Sequence, residues 1–381
     1  MRMRHDENAM EQCDSSWRGM TFDGARELHA LMTGDARPRQ LMKLAKILVL
    51  LWAPFGFRGD ELAEVVGAER ASITLLYGPR YFAPIRYLAL FFRTLFLLAQ
   101  KRPEVVYAQN PPIFCPLTCL LYCRVAGARL VIDHHSIWSV KTLGGGSPLS
   151  RGIGFLERVV SRAADANSAP HSMWARMLVG MGARDVLVYH DYVPNNPRRS
   201  DEALRRRLGA GQTLAISSHG GHPLERLDIE AAAVGRESQE GVSLVVSGPK
   251  EKLEKRLAAM SLPPNVRYAG FLEREVYESL KASADFAINI TDEPHTLSHV
   301  LFEFAASSLP VISSKEPVVE ELFGDSLLYA DSTVEEVAEK VRQLSSGQTR
   351  AAWAAKVRRK QDELTASHEA EVASLKRLVS R

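Results

Sequence analysis

Long apolar runs are missing from this 381-residue chain, and with them the simplest reading as a membrane-spanning protein. Its opening residues, MRMRHDENAMEQCDSSWRGM, lack the apolar core of a secretory signal peptide. Cysteine is scarce. Four residues in a chain of this length do not form a disulfide framework, so a reducing cytoplasm is expected. Three of them, Cys115, Cys119 and Cys123, recur at helical spacing among Leu, Phe and Tyr, with no fourth ligand beside them. That pattern points to buried thiols rather than a thiolate metal site. An excess of one charge is also lacking: a net +3 leaves no footprint for nucleic acid. Heptads, internal repeats and low-complexity tracts are absent as well.

What is present is a globular composition, 46% hydrophobic and 24% charged, on a chain long enough for two domains. Residues 1–42 are polar and weakly periodic and read as an N-terminal extension. From Lys43 apolar strand-like runs appear at 46–52, 72–78, 105–110, 129–135 and 186–192. Segments of helical period separate most of them, at 83–101, 113–126, 150–164 and 172–182. This alternation predicts βα units and a parallel sheet. The stretch VPNNPRRSDEALRRRLGAGQ interrupts it as a linker. The rhythm then resumes at 213–218, 242–248, 266–271, 286–290, 310–314 and 326–330. The expected class is therefore α/β, with two Rossmann-like doubly wound domains, 43–195 and 196–360, and a last helix, 361–381. Ligands of such sheets bind beyond the carboxyl ends of the strands. The run RLVIDHHSIW places Asp133, His134 and His135 at one of those ends.

Two such domains, with a linker and a last helix able to return to the first, resemble a GT-B glycosyltransferase. The segment LFEFAASSLPVISS is similar to the family-4 signature, with Glu303 in the glutamate position and Pro310-Val311-Ile312 at its end. The segments QNPPIFCPLTCLLYCRVAGARLVIDHHS and LVYHDYVP resemble the β-mannosyltransferases that extend dolichol-diphosphate chitobiose. They also resemble bacterial relatives in polysaccharide assembly. The likeness spans about residues 43–381. Two departures stand out. Family-4 retaining enzymes carry a second glutamate where this chain has His295, and many carry Arg and Lys in the loop that here reads SSHGGHPLE.

The resemblance implies a nucleotide-sugar donor, departure of its diphosphate without a catalytic metal, and no cofactor. In this sequence SSHGGH follows a strand and precedes a helix, so Ser217, Ser218, Gly220 and Gly221 are candidates to present hydroxyls and amides to phosphate. In EPHTLSHVLFE, a helix capped by Thr296 or Ser298 would turn the amides of Leu297, Ser298 and His299 towards the diphosphate. The resemblance assigns Glu303 to the donor ribose and His135 to the donor sugar and diphosphate, with Asp133 orienting it or acting as a base. His134 is expected to pack. Gln109 and Asn110, in QNPP, resemble the loop lining the acceptor cleft. The segment RYFAPIRYLALFFRTLFLLAQKR, 80–102, fits either an interfacial helix on anionic lipid or an ordinary amphipathic helix. The reaction implied is sugar transfer to a lipid-linked or growing polysaccharide acceptor, by a cytoplasmic protein that is peripheral on the membrane's inner face. The same features also suit a nucleotide-sugar-binding subunit without catalysis, or a sugar-nucleotide epimerase of the same fold.

Overall fold

Strands whose side chains are apolar on both faces need helices on both faces, and two sheets of this chain meet that condition. The computed structural model describes residues 46–53, 57–75, 83–141, 146–194, 200–208 and 212–380, and the extension expected at 1–42 lies outside them. The first half runs β1 (Ile47–Leu51), α1 (Phe57–Val66), β2 (Glu69–Ser72), α2 (Ala83–Lys101), β3 (Val105–Asn110), α3 (Phe114–Ala126) and β4 (Arg129–His134). It continues through α4 (Trp138–Lys141), α5 (Pro148–Ala163), β5 (Ala166–Ala169), α6 (Ser172–Gly180) and β6 (Val186–Val188).

The second half holds α7 (Glu202–Arg207), β7 (Thr213–Ser218), α8 (Leu227–Arg236), β8 (Val242–Ser247), α9 (Lys250–Ala258) and β9 (Val266–Gly270). After these come α10 (Arg274–Ser283), β10 (Phe286–Asn289), α11 (His299–Ala306), β11 (Val311–Ser314), α12 (Pro317–Phe323) and β12 (Leu328–Ala330). The chain closes with α13 (Val334–Ser345) and α14 (Gly347–Ser380).

Each sheet has six parallel strands, ordered β2-β1-β3-β4-β5-β6 and β12-β11-β10-β7-β8-β9. Both orders reverse direction beside their first strand. The loops leaving β1 and β3, and those leaving β7 and β10, therefore diverge and open a crevice at the carboxyl ends. Right-handed crossovers put α2, α3 and α5 on one face of the first sheet. There Leu48, Leu50, Val106, Ala108, Leu130 and Ile132 pack against the buried thiols Cys115, Cys119 and Cys123. Contact with Cys115 and burial push the Cys119 thiol up, and burial pushes Cys123 up to about 12, so neither is a thiolate near neutrality.

The last helix begins earlier than expected and binds both halves. Val357 and Leu364 join the core of the second half, while Leu375, Leu378 and Val379 are buried further along. Arg129 of β4 donates to the Leu378 carbonyl at 3.0 Å, and Glu371 accepts from the His190 backbone at 2.9 Å.

Three strands differ from the sequence reading. The expected strand at 72–78 is displaced: β2 is Glu69–Ser72, and 76–78, like 80–82 of the apolar segment, lie outside the described residues. The run at 186–192 pairs as a strand only over its first three residues, because the side chains of Tyr189 and Asp191 turn to α1 and His190 turns to Glu371 of α14. An unexpected strand, β5, has the sequence ANSA and is buried throughout. No helix among the described residues is long and apolar enough to cross a membrane.

Candidate active site

Beyond the carboxyl ends of the first sheet, one arginine organises the floor of the crevice. Arg58, on α1, is 5% exposed and grips the Asp133 carboxylate with Nε and Nη2 at 2.9–3.1 Å. Its Nη1 reaches Asp191 at 2.8 Å, and its guanidinium lies 5.3 Å from the Tyr189 ring centre. Asp133 also accepts from Ser168 of β5 at 2.8 Å and from Gln109 of β3 at 3.4 Å. Asp133 is thus fully buried, with both oxygens engaged. Burial pushes the neighbouring Glu61 up to about 7, and a hydrogen bond from the Tyr189 hydroxyl at 2.7 Å partly offsets this.

Asp191 differs from Asp133 in keeping some access to solvent, with 12% of its side chain exposed. Burial works against its charge, yet Arg58, His135 and His299 together hold its carboxyl below the usual carboxylate range. A first-half histidine and a second-half histidine therefore both favour the charge on this carboxylate. His135 follows the last residue of β4 and is exposed. His134 is buried on the opposite face, between Asn110 at 3.2 Å and Asn167 at 3.1 Å. Burial pushes its imidazole down to about 4. Asn110, expected in the cleft, is fully buried; its amide braces His134, the Ser136 carbonyl and Glu157.

The loop after β7 was expected to cradle phosphate, and it is folded around a different anion. The amides of Gly220, Gly221 and His222 all donate to the Glu225 carboxylate, at 2.8, 2.9 and 3.0 Å. Gly221 has φ +83°, and a Cβ there would fall 2.4 Å from Lys252, so the tight turn requires glycine. Ser217 is buried and bonded to Glu230 and His219 at 2.5 and 2.8 Å, so its hydroxyl serves the interior. Burial opposes charge on His219, but Glu230 and Glu225 push it up to about 9. Ser218 alone of the two serines points to the crevice side, meeting the Tyr277 hydroxyl at 2.9 Å.

Tyr277, from α10, passes that hydrogen bond onward, donating to Glu303 at 2.7 Å. One oxygen of Glu303 is so fixed, and the other lies 3.7 Å from His299, one turn earlier on α11. The helix is capped at Ser298 without a side-chain bond. Among the described residues the Leu297 and Ser298 amides have no acceptor. His295, ahead of them, holds φ +61°, an unusual conformation for a non-glycine residue, with its ring 5.8 Å from Trp174 of α6. Residues 35–196 match the family described as "Glycosyl transferase 4-like domain", and residues 224–373 the one described as "Glycosyl transferase-like". The chain is a glycosyltransferase of the GT4 type.

Solved structures share its GT-B fold. HepE from Anabaena, in complex with UDP-glucose, aligns with a TM-score of 0.66 at 14% identity, over 88% of this chain and 98% of that one. Sucrose-phosphate synthase from Thermosynechococcus elongatus aligns at 0.69 with 12% identity, over 87% and 98%. WaaG, a glycosyltransferase of lipopolysaccharide biosynthesis, aligns at 0.61 with 13% identity, over 83% and 95%. No curated protein matches the sequence significantly.

In this glycosyltransferase, His135 and His299 both act on the Asp191 carboxylate, hydrogen bonds join Ser218, Tyr277 and Glu303, and His299 lies 3.7 Å from Glu303. Asp133, Ser217 and Asn110 are buried, and Gly220 and Gly221 have their amides occupied. Arg58, Asp191 and Tyr277 escaped the sequence reading. Asp191 stood in the quoted LVYHDYVP, but only its distance of 133 residues from Arg58, closed by folding, reveals its role.

Proposed function

We propose that the enzyme transfers a sugar from a uridine diphosphate donor to a lipid-linked or growing polysaccharide acceptor. The observation that carries the donor assignment is the Ser218–Tyr277–Glu303 chain. It orients a carboxylate beside the open start of α11, where a nucleotide's ribose hydroxyls and diphosphate would find an acceptor and amide donors together. That HepE was solved with UDP-glucose supports the choice of base. That WaaG, a glycosyltransferase involved in lipopolysaccharide biosynthesis, shares the fold supports the acceptor class.

In the transfer, an acceptor hydroxyl attacks the anomeric carbon while the bond from that carbon to the diphosphate oxygen breaks. His135 takes the hydroxyl proton, and Asp191 stabilises the imidazolium that results. The amides of Leu297 and Ser298, with His299, meet the charge left on the diphosphate. Gln109, half-buried at the end of β3, stays on the acceptor side.

Titration calorimetry with UDP, GDP and their sugars tests the reading. UDP compounds should bind, and Glu303→Ala should weaken them by about 1–3 kcal/mol, as expected for losing hydrogen bonds to a charged acceptor. Tyr277→Phe should cost less, since the carboxylate survives but is no longer fixed. Unchanged affinity in a folded Glu303→Ala protein would reject the ribose role.

A further inference from the structure

Nine of the twelve exposed large apolar side chains among the described residues lie on three helices of the first half. On α2 they are Ile85, Leu88, Phe92 and Phe96, spaced three or four residues apart and therefore aligned in one stripe. Leu121 and Val125 repeat the pattern on α3, and Leu149, Phe155 and Val159 lie on α5. Because α2 packs beside α3 and α3 beside α5, the three sets share the outer face of one helical layer. Buried partners such as Leu90, Leu98, Cys119 and Val160 already fill the inner face, so the exposed set is surplus to the core.

Charge on the same helices is one-sided. Arg93, Arg124, Arg151, Arg158 and Arg162 are exposed, whereas the one acid on all three helices, Glu157, is 1% exposed. A protein core, a second acidic subunit or plain solvent does not demand both properties together. An anionic bilayer does: arginines meet its headgroups while apolar side chains enter the acyl boundary. A cavity of about 330 Å³ opens at the first turn of α2, between Trp52, Tyr87, Arg86 and the prolines 111 and 112. Trp52 and Tyr87 are stacked there at 6.2 Å, giving flat apolar walls next to a guanidinium.

We propose that the α2–α3–α5 face docks on anionic lipid, and that the cavity at its edge receives the sugar and phosphate of a lipid-linked acceptor. The aromatic walls suit the C–H face of a sugar, and Arg86 suits its phosphate. The docking surface is a separate proposal from donor use and can fail independently of it.

Co-sedimentation of the full chain with phosphatidylglycerol vesicles and with phosphatidylcholine vesicles tests the surface. Wild type should pellet with the first and not the second, and high salt should release it. Val125→Glu on α3 and Phe155→Glu on α5 should each lower partitioning at least tenfold, as should Phe92→Glu with Phe96→Glu on α2. These side chains face solvent, so the variants should keep wild-type melting and UDP affinity, which separates this failure from a failed donor assignment. Each arginine replaced by glutamine should cost roughly fivefold. No pelleting by wild type, or loss only from the α2 variants, would overturn the three-helix surface. So would a dimer or hetero-complex dispersed by the same changes without any lipid binding. Arg86→Gln should raise KM for a short-chain lipid diphosphate sugar at unchanged donor KM; an unchanged acceptor KM would remove the cavity from the proposal.

Discussion

Asp133 and Asp191 hang from the same arginine, yet only Asp191 keeps contact with solvent, and this separates their roles. With both oxygens tied to Arg58, Ser168 and Gln109, Asp133 fixes the position of the β4 end and of Arg58 itself. Asp191 spends one oxygen on Arg58 and feels His135 and His299. His135→Ala should accordingly lower turnover by about 10²-fold or more, the scale of losing acid–base assistance. Asp191→Asn should act differently: without the carboxylate the His135 imidazolium is less favoured, so the acidic limb of the pH–rate profile should move to lower pH as turnover falls. Asp133→Asn should reduce stability before it reduces turnover. Steady-state rates across pH, with melting curves, distinguish the three. Full activity in His135→Ala would remove it from the chemistry.

At the scale of elements, the strands placed correctly from the sequence are those that bury apolar side chains, whereas β2, ERAS, was displaced and β5, which was missed, buries polar ones. ANSA offers no hydrophobic run. It is a strand because Asn167 answers His134 and Ser168 answers Asp133 across the β4–β5 pairing. Nothing local in four small residues announces partners 33 and 35 positions away. The glutamate of α11 was legible for the opposite reason, since Leu301, Phe302, Phe304 and Ala305 are buried around it and fix its helix face. The glycine loop was half legible: its turn is there, but Glu225, three residues past His222, fills the amides that seemed free.

His134 shows what the polar pairing contributes. Packing alone would make His134→Phe mild, as the sequence suggested, but Phe leaves the Asn167 carbonyl oxygen and one Asn110 bond without a partner in a buried site. A loss of about 2–4 kcal/mol is expected. The sign of its pH dependence follows from the imidazole being pushed down to about 4. The unfolded chain binds that proton first, so the contribution is complete above pH ~6.5 and is lost on acidification towards 4. Urea unfolding should therefore show a wild-type advantage over His134→Phe that shrinks between pH 7 and pH 4.5. A gap that stays constant would mean that His134 is not held neutral.

The whole molecule is held around its crevice by α14. Its first half belongs to the second sheet's core through Val357 and Leu364, and Lys356 adds a bond to Asp325 at 3.1 Å. Its later turns belong to the first sheet. Gln361 donates to the Val193 carbonyl at 2.9 Å, His368 stacks 4.2 Å from Tyr192, and Glu371 receives both the backbone and the ring of His190. The crevice residues come from both halves, and this helix aligns them together with the Arg176–Glu321 pair and the His295–Trp174 contact. Leu375, fully buried, lies in the last turns, beyond those contacts. Replacing it by alanine should cost about 2–5 kcal/mol, which for a half of this size lowers its melting by roughly 10 °C. Because the loss falls on the first half alone, calorimetry should then resolve two transitions where the wild type shows one. If UDP binds as proposed, at Glu303 and the α11 amides, it should raise only the later transition, since a ligand stabilises the unit that binds it. Donor affinity should survive while transfer falls, for the histidine and the diphosphate site would no longer be held in register. A single transition at the wild-type temperature, or equal loss of donor binding and transfer, would show that α14 is not what couples the halves.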